Sequence, residues 1–312
     1  MTAAAPPSLH GRVVVVTGAT SGIGLATARA VAALGAHTVL VGRGEARVRS
    51  LAESMRAALP GAEVEGVGVD DLATRAGWES VAGRLREQYP ALHVLVHVAG
   101  DMFGHREETK DGIERTFALN VLTPLALTLQ LADRLVRSAP ARVVNVASAA
   151  HRGNHVPWDD LEARRQYRPF AVYGRSKLEL ILLSRELARR LEGTGVTVNA
   201  VHPGFIRSRF GHDTPGLAAA TVRALAAVGG RSPEYGARTP LHVIVDPEGA
   251  RVTGEYFSAG RRRPGSAASR NEEDARRLYA ICREYLRLPD LPEPTPAEQR
   301  PPNGPAAAAA VG

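Results

Sequence analysis

The chain predicts an α/β fold, a single doubly wound parallel sheet of about seven strands with helices on both faces, and three observations predict it. Short apolar runs bounded by turn residues recur at 12–17, 37–41, 63–69, 93–98, 142–147 and 196–201. Helical patterns lie between them, and strands that alternate with helices imply parallel crossover connections. The runs are nearly continuous in Val, Leu and Ala, as strands must be when helices cover both faces.

A seventh strand is expected at 251–257. Before it, Ser232, Pro233 and Glu234 supply an N-cap, a first-turn proline and an acidic first turn for a helix to about Val245. At 312 residues the chain suits one domain with tails. Residues 1–10 are expected to be a flexible start, 11–288 the folded domain, and 209–231, rich in Ala, Leu and Gly, a lid over the substrate. From 289 to 312, prolines and then alanines lack apolar periodicity, so that segment is expected to be a disordered tail.

Composition excludes more than it identifies. The net charge of +7 comes from 37 arginines and 2 lysines scattered through helical patterns, which describes a solvated surface and not a nucleic-acid stripe. Aromatic residues make up 5%, too few for a base-stacking platform. The run Arg261, Arg262, Arg263 is flanked by Pro and Gly and is expected to be a loop. A lone cysteine, Cys282, rules out an internal disulfide and a CxxC metal site. No metal site is expected, and the absence of an export leader or an 18-residue apolar stretch points to a cytoplasmic protein without a membrane span.

The first strand runs into Thr17-Gly18-Ala19-Thr20-Ser21-Gly22-Ile23-Gly24, and a small-residue helical pattern follows from Leu25 to Leu34. Strand, glycine-rich turn and helix in that order form a dinucleotide site, because the glycines let the backbone approach a pyrophosphate and the helix start offers unpaired N–H groups. The fold is thus expected to be Rossmann-type. About 20 residues on, where an NAD site carries a carboxylate for the ribose 2′-hydroxyl, the second strand ends Val41-Gly42-Arg43. Arg43 can meet a 2′-phosphate with a planar, charged fork, so NADP(H) is favoured over NAD(H). The alternative for Arg43 is one more surface arginine.

Tyr173 and Lys177 lie four apart at the start of a helical segment from Tyr173 to Leu191, which places both on one face. A tyrosine near a cation can exchange a proton with an alcohol or carbonyl oxygen while hydride moves to or from a nicotinamide. Lysine at 177, in a chain that uses arginine almost everywhere else, points to a task for a compact ammonium. Ser148 stands just past the fifth strand, at the edge where open α/β sheets bind ligands. Asn120 lies inside a helical pattern although asparagine is a poor helix former. A helix cap and a satisfied core amide are their respective alternatives.

Glycine spacing G-x-x-x-G-x-G together with Asn120, Ser148, Tyr173 and Lys177 resembles the short-chain dehydrogenase/reductase family over residues 11–287. The resemblance implies an oxidoreductase in which those four residues form a catalytic tetrad, with Asn120 anchoring a water relay to Lys177. It places Asp71, in Asp70-Asp71-Leu72, near the adenine, with a helix cap as the alternative. It also implies that the backbone of Ala99 and Gly100 passes the cofactor ribose. In His202-Pro203-Gly204-Phe205-Ile206-Arg207-Ser208, the backbone near Ile206 and the Ser208 hydroxyl would hold the nicotinamide carboxamide. The family's Asn-Asn-Ala-Gly stands here as His97-Val98-Ala99-Gly100, so a sheet-bracing amide is lost or replaced by His97. Trp158-Asp159-Asp160-Leu161, Tyr173-Gly174-Arg175-Ser176-Lys177-Leu178 and Gly254-Glu255-Tyr256-Phe257-Ser258 look like the retinol dehydrogenase and protochlorophyllide reductase-like branch, whose enzymes often accept apolar carbonyls or alcohols. Gly153, Asn154, His155 and Phe170 are candidate pocket residues. A homo-oligomer is compatible with all of this, and a non-catalytic dinucleotide sensor of the same fold is the alternative function.

Overall fold

The computed structural model describes residues 8–207 and 230–291. Eight strands form one sheet in the order β3-β2-β1-β4-β5-β6-β7-β8. They are β1 Val13–Thr17, β2 His37–Arg43, β3 Val64–Val69, β4 Val94–His97, β5 Ala141–Val146, β6 Val196–His202, β7 Tyr256–Ser258 and β8 Arg261–Arg263. All neighbours pair in parallel except β7 and β8. Strand order reverses direction between β1 and β4, and ligands of open α/β sheets bind at that switch point, outside the carboxyl ends.

Helices cover both faces. On one side lie α1 Gly22–Ala33, α2 Glu45–Ala58 and α7 Pro233–Val245, packed on Val14, Val16, Leu40 and Val144. On the other lie α3 Arg75–Gln88, α5 Thr123–Arg137, α6 Pro169–Arg190 and α9 Glu272–Leu286, packed on Val15, Val39, Leu95 and Val143. Neighbouring residues of one strand thus serve opposite cores, which is why the strands carry no alternation of polar and apolar residues. Cys282 is buried in the second core and has no disulfide partner.

The structure departs from the sequence expectations at the last two strands. The seventh covers only Tyr256–Ser258, because Pro247–Arg251 forms a short helix, α8, capped by Asp246. Arg261–Arg263, expected as a loop, is an eighth, antiparallel edge strand. Ala259 and Gly260 both have positive φ, 52° and 69°, the conformation a two-residue hairpin needs. Three exposed arginines on an edge also oppose pairing with another chain.

Both ends of the domain are more tied down than expected. Leu9 is buried and its N–H donates to the Leu34 carbonyl at 2.9 Å. At the other end Leu291 is buried, and Asp290 accepts from Tyr279 at 2.8 Å and from Arg190 at 3.0 Å. The start of the tail therefore belongs to the domain through residue 291. Residues 292–312, most of the expected lid and Ser208 lie outside the described residues.

Candidate active site

The glycine turn follows β1 and folds against the loop after β4. Gly18 has φ 67°, and a Cβ there would stand 2.8 Å from the backbone nitrogen of Ala99. Gly24 packs as tightly on the Gly18 carbonyl, where a Cβ would come within 2.2 Å. Neither position admits a side chain, so the turn holds helix α1 close to the sheet. Ser21 makes no side-chain cap for α1, and no acidic residue occupies its first turn. Helix α9, by contrast, is capped by Asn271 and begins with Glu272, Glu273 and Asp274. The first N–H groups of α1 are left for a ligand, as an anion site requires.

The other residues expected to hold a dinucleotide follow the carboxyl ends of several strands of the sheet. Thr20 lies against Gly42, where a Cβ would be 2.4 Å from its methyl carbon, and Arg43 follows, exposed at the end of β2. Glu45 is the nearest carboxylate along the chain, and it is engaged by Arg84 at 2.8 Å and by the Gly68 N–H at 2.9 Å. Those bonds hold its carboxyl below the usual range. Ile23 and Ile206 meet at Gly236 of α7, where a Cβ would lie 2.9 Å from one and 3.0 Å from the other. Gly204 has φ 96°, so the turn after Pro203 requires glycine. Asp71 does not cap α3; Thr74 does, accepting from Gly77. Asp71 instead pairs with Arg115 at 3.0 Å and accepts from the Ala73 N–H, while Leu72 is buried and its carbonyl accepts from Thr123.

The four expected catalytic residues converge at the carboxyl ends of β4 and β5. Ser148 caps the short turn Ala149–His151 through the Ala150 N–H and is hydrogen-bonded to Tyr173. It acts as cap and as hydroxyl partner together. Helix α6 starts at Pro169, so Tyr173 sits in its second turn and Lys177 one turn later. The Lys177 ammonium is buried, donates to the Val146 carbonyl at 3.1 Å and lies 5.6 Å from the centroid of the Tyr173 ring. A Cβ on Gly100 would stand 3.1 Å from that Nζ and 2.9 Å from Asn120 Oδ1.

Asn120 is fully buried in a π turn, Ala118–Leu122, between the single helical turn α4, Arg115–Phe117, and α5. Such turns aim a side chain out of helical register and occur often at functional sites. Its amide donates to the Asp101 carbonyl and to Ser176 Oγ, both at 3.0 Å, and its oxygen accepts from the Asp101 N–H at 3.0 Å. Asn120 therefore ties the loop after β4 to α6, and protein groups take both of its donors.

Ionisation departs from expectation at the tyrosine. Burial pushes the Tyr173 phenol up, the Ser148 hydrogen bond opposes this, and the Asp101 carboxylate adds to it. The Lys177 ammonium lies over the ring and is aimed at the Val146 carbonyl. Burial lowers Lys177 itself to about 8, with Asp101 opposing.

Sequence reasoning missed Asp101, Thr17, Ser176 and His202. Thr17 Oγ1 accepts from the N–H groups of Val98 and Ala99, both at 3.2 Å, and so braces the loop where the family uses an asparagine. His97 is buried and neutral, its titration lowered to about 3 by desolvation, with Nε2 3.1 Å from Thr128 Oγ1. Burial takes His202 down to about 4, and its ring accepts from the Ala149 N–H. Of these only Asp101 left a visible signal, a lone carboxylate between Gly100 and Met102. Among the candidate pocket residues, Asn154 braces the turn by donating to the Ala150 carbonyl, while Gly153, His155 and Phe170 are exposed.

Comparison with known proteins agrees with this geometry. Residues 12–216 match the short chain dehydrogenase family. Human retinol dehydrogenase 13 is 35% identical over 297 residues, covering 94% of this chain and 88% of its own. Mouse retinol dehydrogenase 12 is 37% identical over 278 residues, covering 89% and 87%. Among solved structures, an uncharacterised protein of Mycobacterium paratuberculosis superposes with a TM-score of 0.74 at 28% identity, covering 94% of this chain and 99% of that one. RhlG of Pseudomonas aeruginosa, solved as an active-site complex with NADP, gives 0.64 at 29% identity, covering 81% and 96%. With the glycine turn, the switch point and the tyrosine-lysine helix in place, the chain belongs to the short-chain dehydrogenase/reductase family, on its retinol dehydrogenase branch.

Proposed function

We propose that this oxidoreductase is NADP(H)-dependent and interconverts an alcohol and a ketone or aldehyde on an apolar small molecule, using Tyr173, Lys177, Ser148 and Asn120. The observation that carries the reading is the hydrogen bond between Ser148 and Tyr173 beside the buried ammonium of Lys177. The uncapped start of α1, the tight Gly18 turn and the bare Gly100 fit a nicotinamide dinucleotide. When bound, that cofactor gives a hydride to the carbonyl carbon or takes one from the alcohol.

Tyr173 moves the proton. In reduction its O–H bond breaks as an O–H bond forms on the substrate oxygen, and the phenolate recovers a proton from solvent. Ser148 donates to the same oxygen and keeps it in reach. Lys177 stabilises the phenolate as it forms and can bond to the cofactor ribose. Asn120 holds Gly100 and Asp101 against α6, so the ammonium keeps its place.

Arg43 supports the preference for the 2′-phosphate, since it is exposed at the end of β2 and Glu45 is turned into the bonds with Arg84 and Gly68. Phe170, in the first turn of α6, and Phe205, two residues after Pro203, are 59% and 51% exposed and support an apolar substrate. Relatives named for retinol, an apolar alcohol, point the same way. The test is a panel of apolar ketones, aldehydes and secondary alcohols with NADPH, NADH and their oxidised forms, followed at the nicotinamide absorbance. Turnover with the 2′-phosphorylated cofactors is expected; none with any pair would overturn the reading.

A further inference from the structure

Two histidines outside the proposed chemistry hold the turn that carries Ser148. The parallel ladder between β5 and β6 ends where the Ala147 N–H donates to the Val201 carbonyl at 2.8 Å. The next residue of β6 is His202, and its side chain extends the ladder: Nδ1 accepts from the Ala149 N–H at 3.2 Å. In the turn itself, His151 Nδ1 lies 2.7 Å from the Ser148 carbonyl oxygen, which also accepts from the His151 N–H at 3.2 Å. The Ser148 carbonyl and the Ala149 N–H belong to one peptide group. Its two polar ends point opposite ways, so the two rings hold one planar unit from opposite sides.

A carbonyl only accepts, so His151 carries its proton on Nδ1; a backbone N–H only donates, so Nδ1 of His202 is bare. The rings are opposite tautomers, and each suits only its own end of the peptide. Burial favours the neutral form of both, taking His202 down to about 4 and lowering His151 as well. His151 is fully buried and stands edge-on to buried Tyr256, with ring centroids 5.0 Å apart. Its Nε2 has no hydrogen-bond partner, a loss that the bond at Nδ1 has to offset.

The turn held in this way carries the Ser148 hydroxyl, which accepts from the Ala150 N–H at 3.2 Å and is hydrogen-bonded to Tyr173. It also packs on α6 at the residue after Tyr173, where a Cβ on Gly174 would stand 2.7 Å from the Ala150 carbonyl oxygen. Rotating the Ser148–Ala149 peptide shifts the turn against α6 and moves the hydroxyl relative to the phenol. We propose that His151 and His202 are positioning residues: by bonding the two ends of that peptide they hold the Ser148 hydroxyl where it can donate to the substrate oxygen beside Tyr173. The inference rests on the oxidoreductase reading above and deepens it by adding two residues that set the geometry of the site.

Each histidine is replaced by leucine, which fills the space without the bond, and by asparagine, whose amide offers an oxygen or an N–H close to the place of Nδ1. Either leucine variant should lower kcat about ten-fold or more with cofactor affinity unchanged, since misplacing a group by about 1 Å can cost a hundred-fold. The asparagine variants should recover most of that loss. Where a leucine variant does not fold, glutamine, whose amide reaches the place of Nε2 instead, takes its place. In a Ser148→Ala background, His202→Leu should cost less than about two-fold more, as expected of residues that act through one group. An equal loss with and without the Ser148 hydroxyl, or asparagine no better than leucine, overturns the proposal. Independently of any substrate, hydrogen exchange at the Ala149 N–H, followed by NMR, should be slow in the wild type and in His202→Asn and fast in His202→Leu. If the wild type turns over no alcohol or carbonyl, the proposed function fails, while that exchange still decides whether His202 holds the turn; fast exchange in the wild type overturns it.

Discussion

The two halves of the sheet's carboxyl edge are built from different materials. Around β1, β2 and α1 the site consists of glycines, backbone N–H groups and one exposed arginine. Around β4, β5 and α6 it consists of desolvated side chains whose ionisation is displaced, above all Tyr173, Lys177 and His97. Binding a phosphate needs close approach and a favourable dipole, which the main chain supplies if side chains stay out of the way. Moving a proton needs a group whose two charge states lie close in energy, and burial with selected partners adjusts that. Changes in the first half should therefore act on cofactor affinity, and changes in the second on turnover.

The sharpest way to break that division is Tyr173→Phe. It removes one hydroxyl, and general acid–base catalysis contributes about a hundred- to ten-thousand-fold. At least about a hundred-fold loss of kcat with unchanged cofactor affinity is expected, measured by steady-state kinetics and nicotinamide fluorescence. Lys177→Arg should fail too, since a planar guanidinium does not fit between the Val146 carbonyl and Gly100.

In the other half, Arg43→Ala should weaken NADPH by about 1.5 to 3 kcal/mol, the range for a hydrogen bond to a charged group, and leave NADH nearly unchanged. Titration calorimetry with both cofactors measures it, and equal losses would show that Arg43 reads no phosphate. Gly18→Ala should cost about 1 to 2 kcal/mol of stability from the left-handed backbone alone, with a further loss where its Cβ meets Ala99. Thermal unfolding and cofactor affinity should fall together.

A smaller effect tests the buried histidine. His97 titrates at about 3 when folded against 6.5 for the free side chain, so between those values the unfolded chain takes up a proton that the folded chain refuses. Its contribution is complete above about pH 6.5 and is lost progressively as the pH falls toward 3. His97→Asn should flatten that part of the stability profile in acid denaturation. At the far end of the scale, removing 292–312 should leave the melting temperature unchanged. Removing 289–312 should lower it, because the cut takes away Asp290 and buried Leu291.

Much of this site was legible because its signals are local. A glycine turn after a strand, a tyrosine and lysine one helical turn apart, and an arginine at a strand end can each be read within a few residues. Thr17 and Ser176 could not, since each acts across 56 to 82 residues of chain on a group that nothing nearby announces. The eighth strand was hidden for a similar reason: three arginines carry no apolar signal, and only the turn before them and the β7 edge beside them make a strand.

What the amino-acid order determined by itself was the alternation of strands and helices, the place of the glycine turn and the pairing of Tyr173 with Lys177. Those depend on backbone sterics and on the 3.6-residue helical repeat, which act between near neighbours. Tertiary structure decided the burial of Tyr173 and Lys177, the π turn that aims Asn120 and the bonds by which Asn120 ties Asp101 to Ser176. Each of these depends on which surfaces exclude water and which groups meet inside, and that is settled only when segments far apart in the chain pack together.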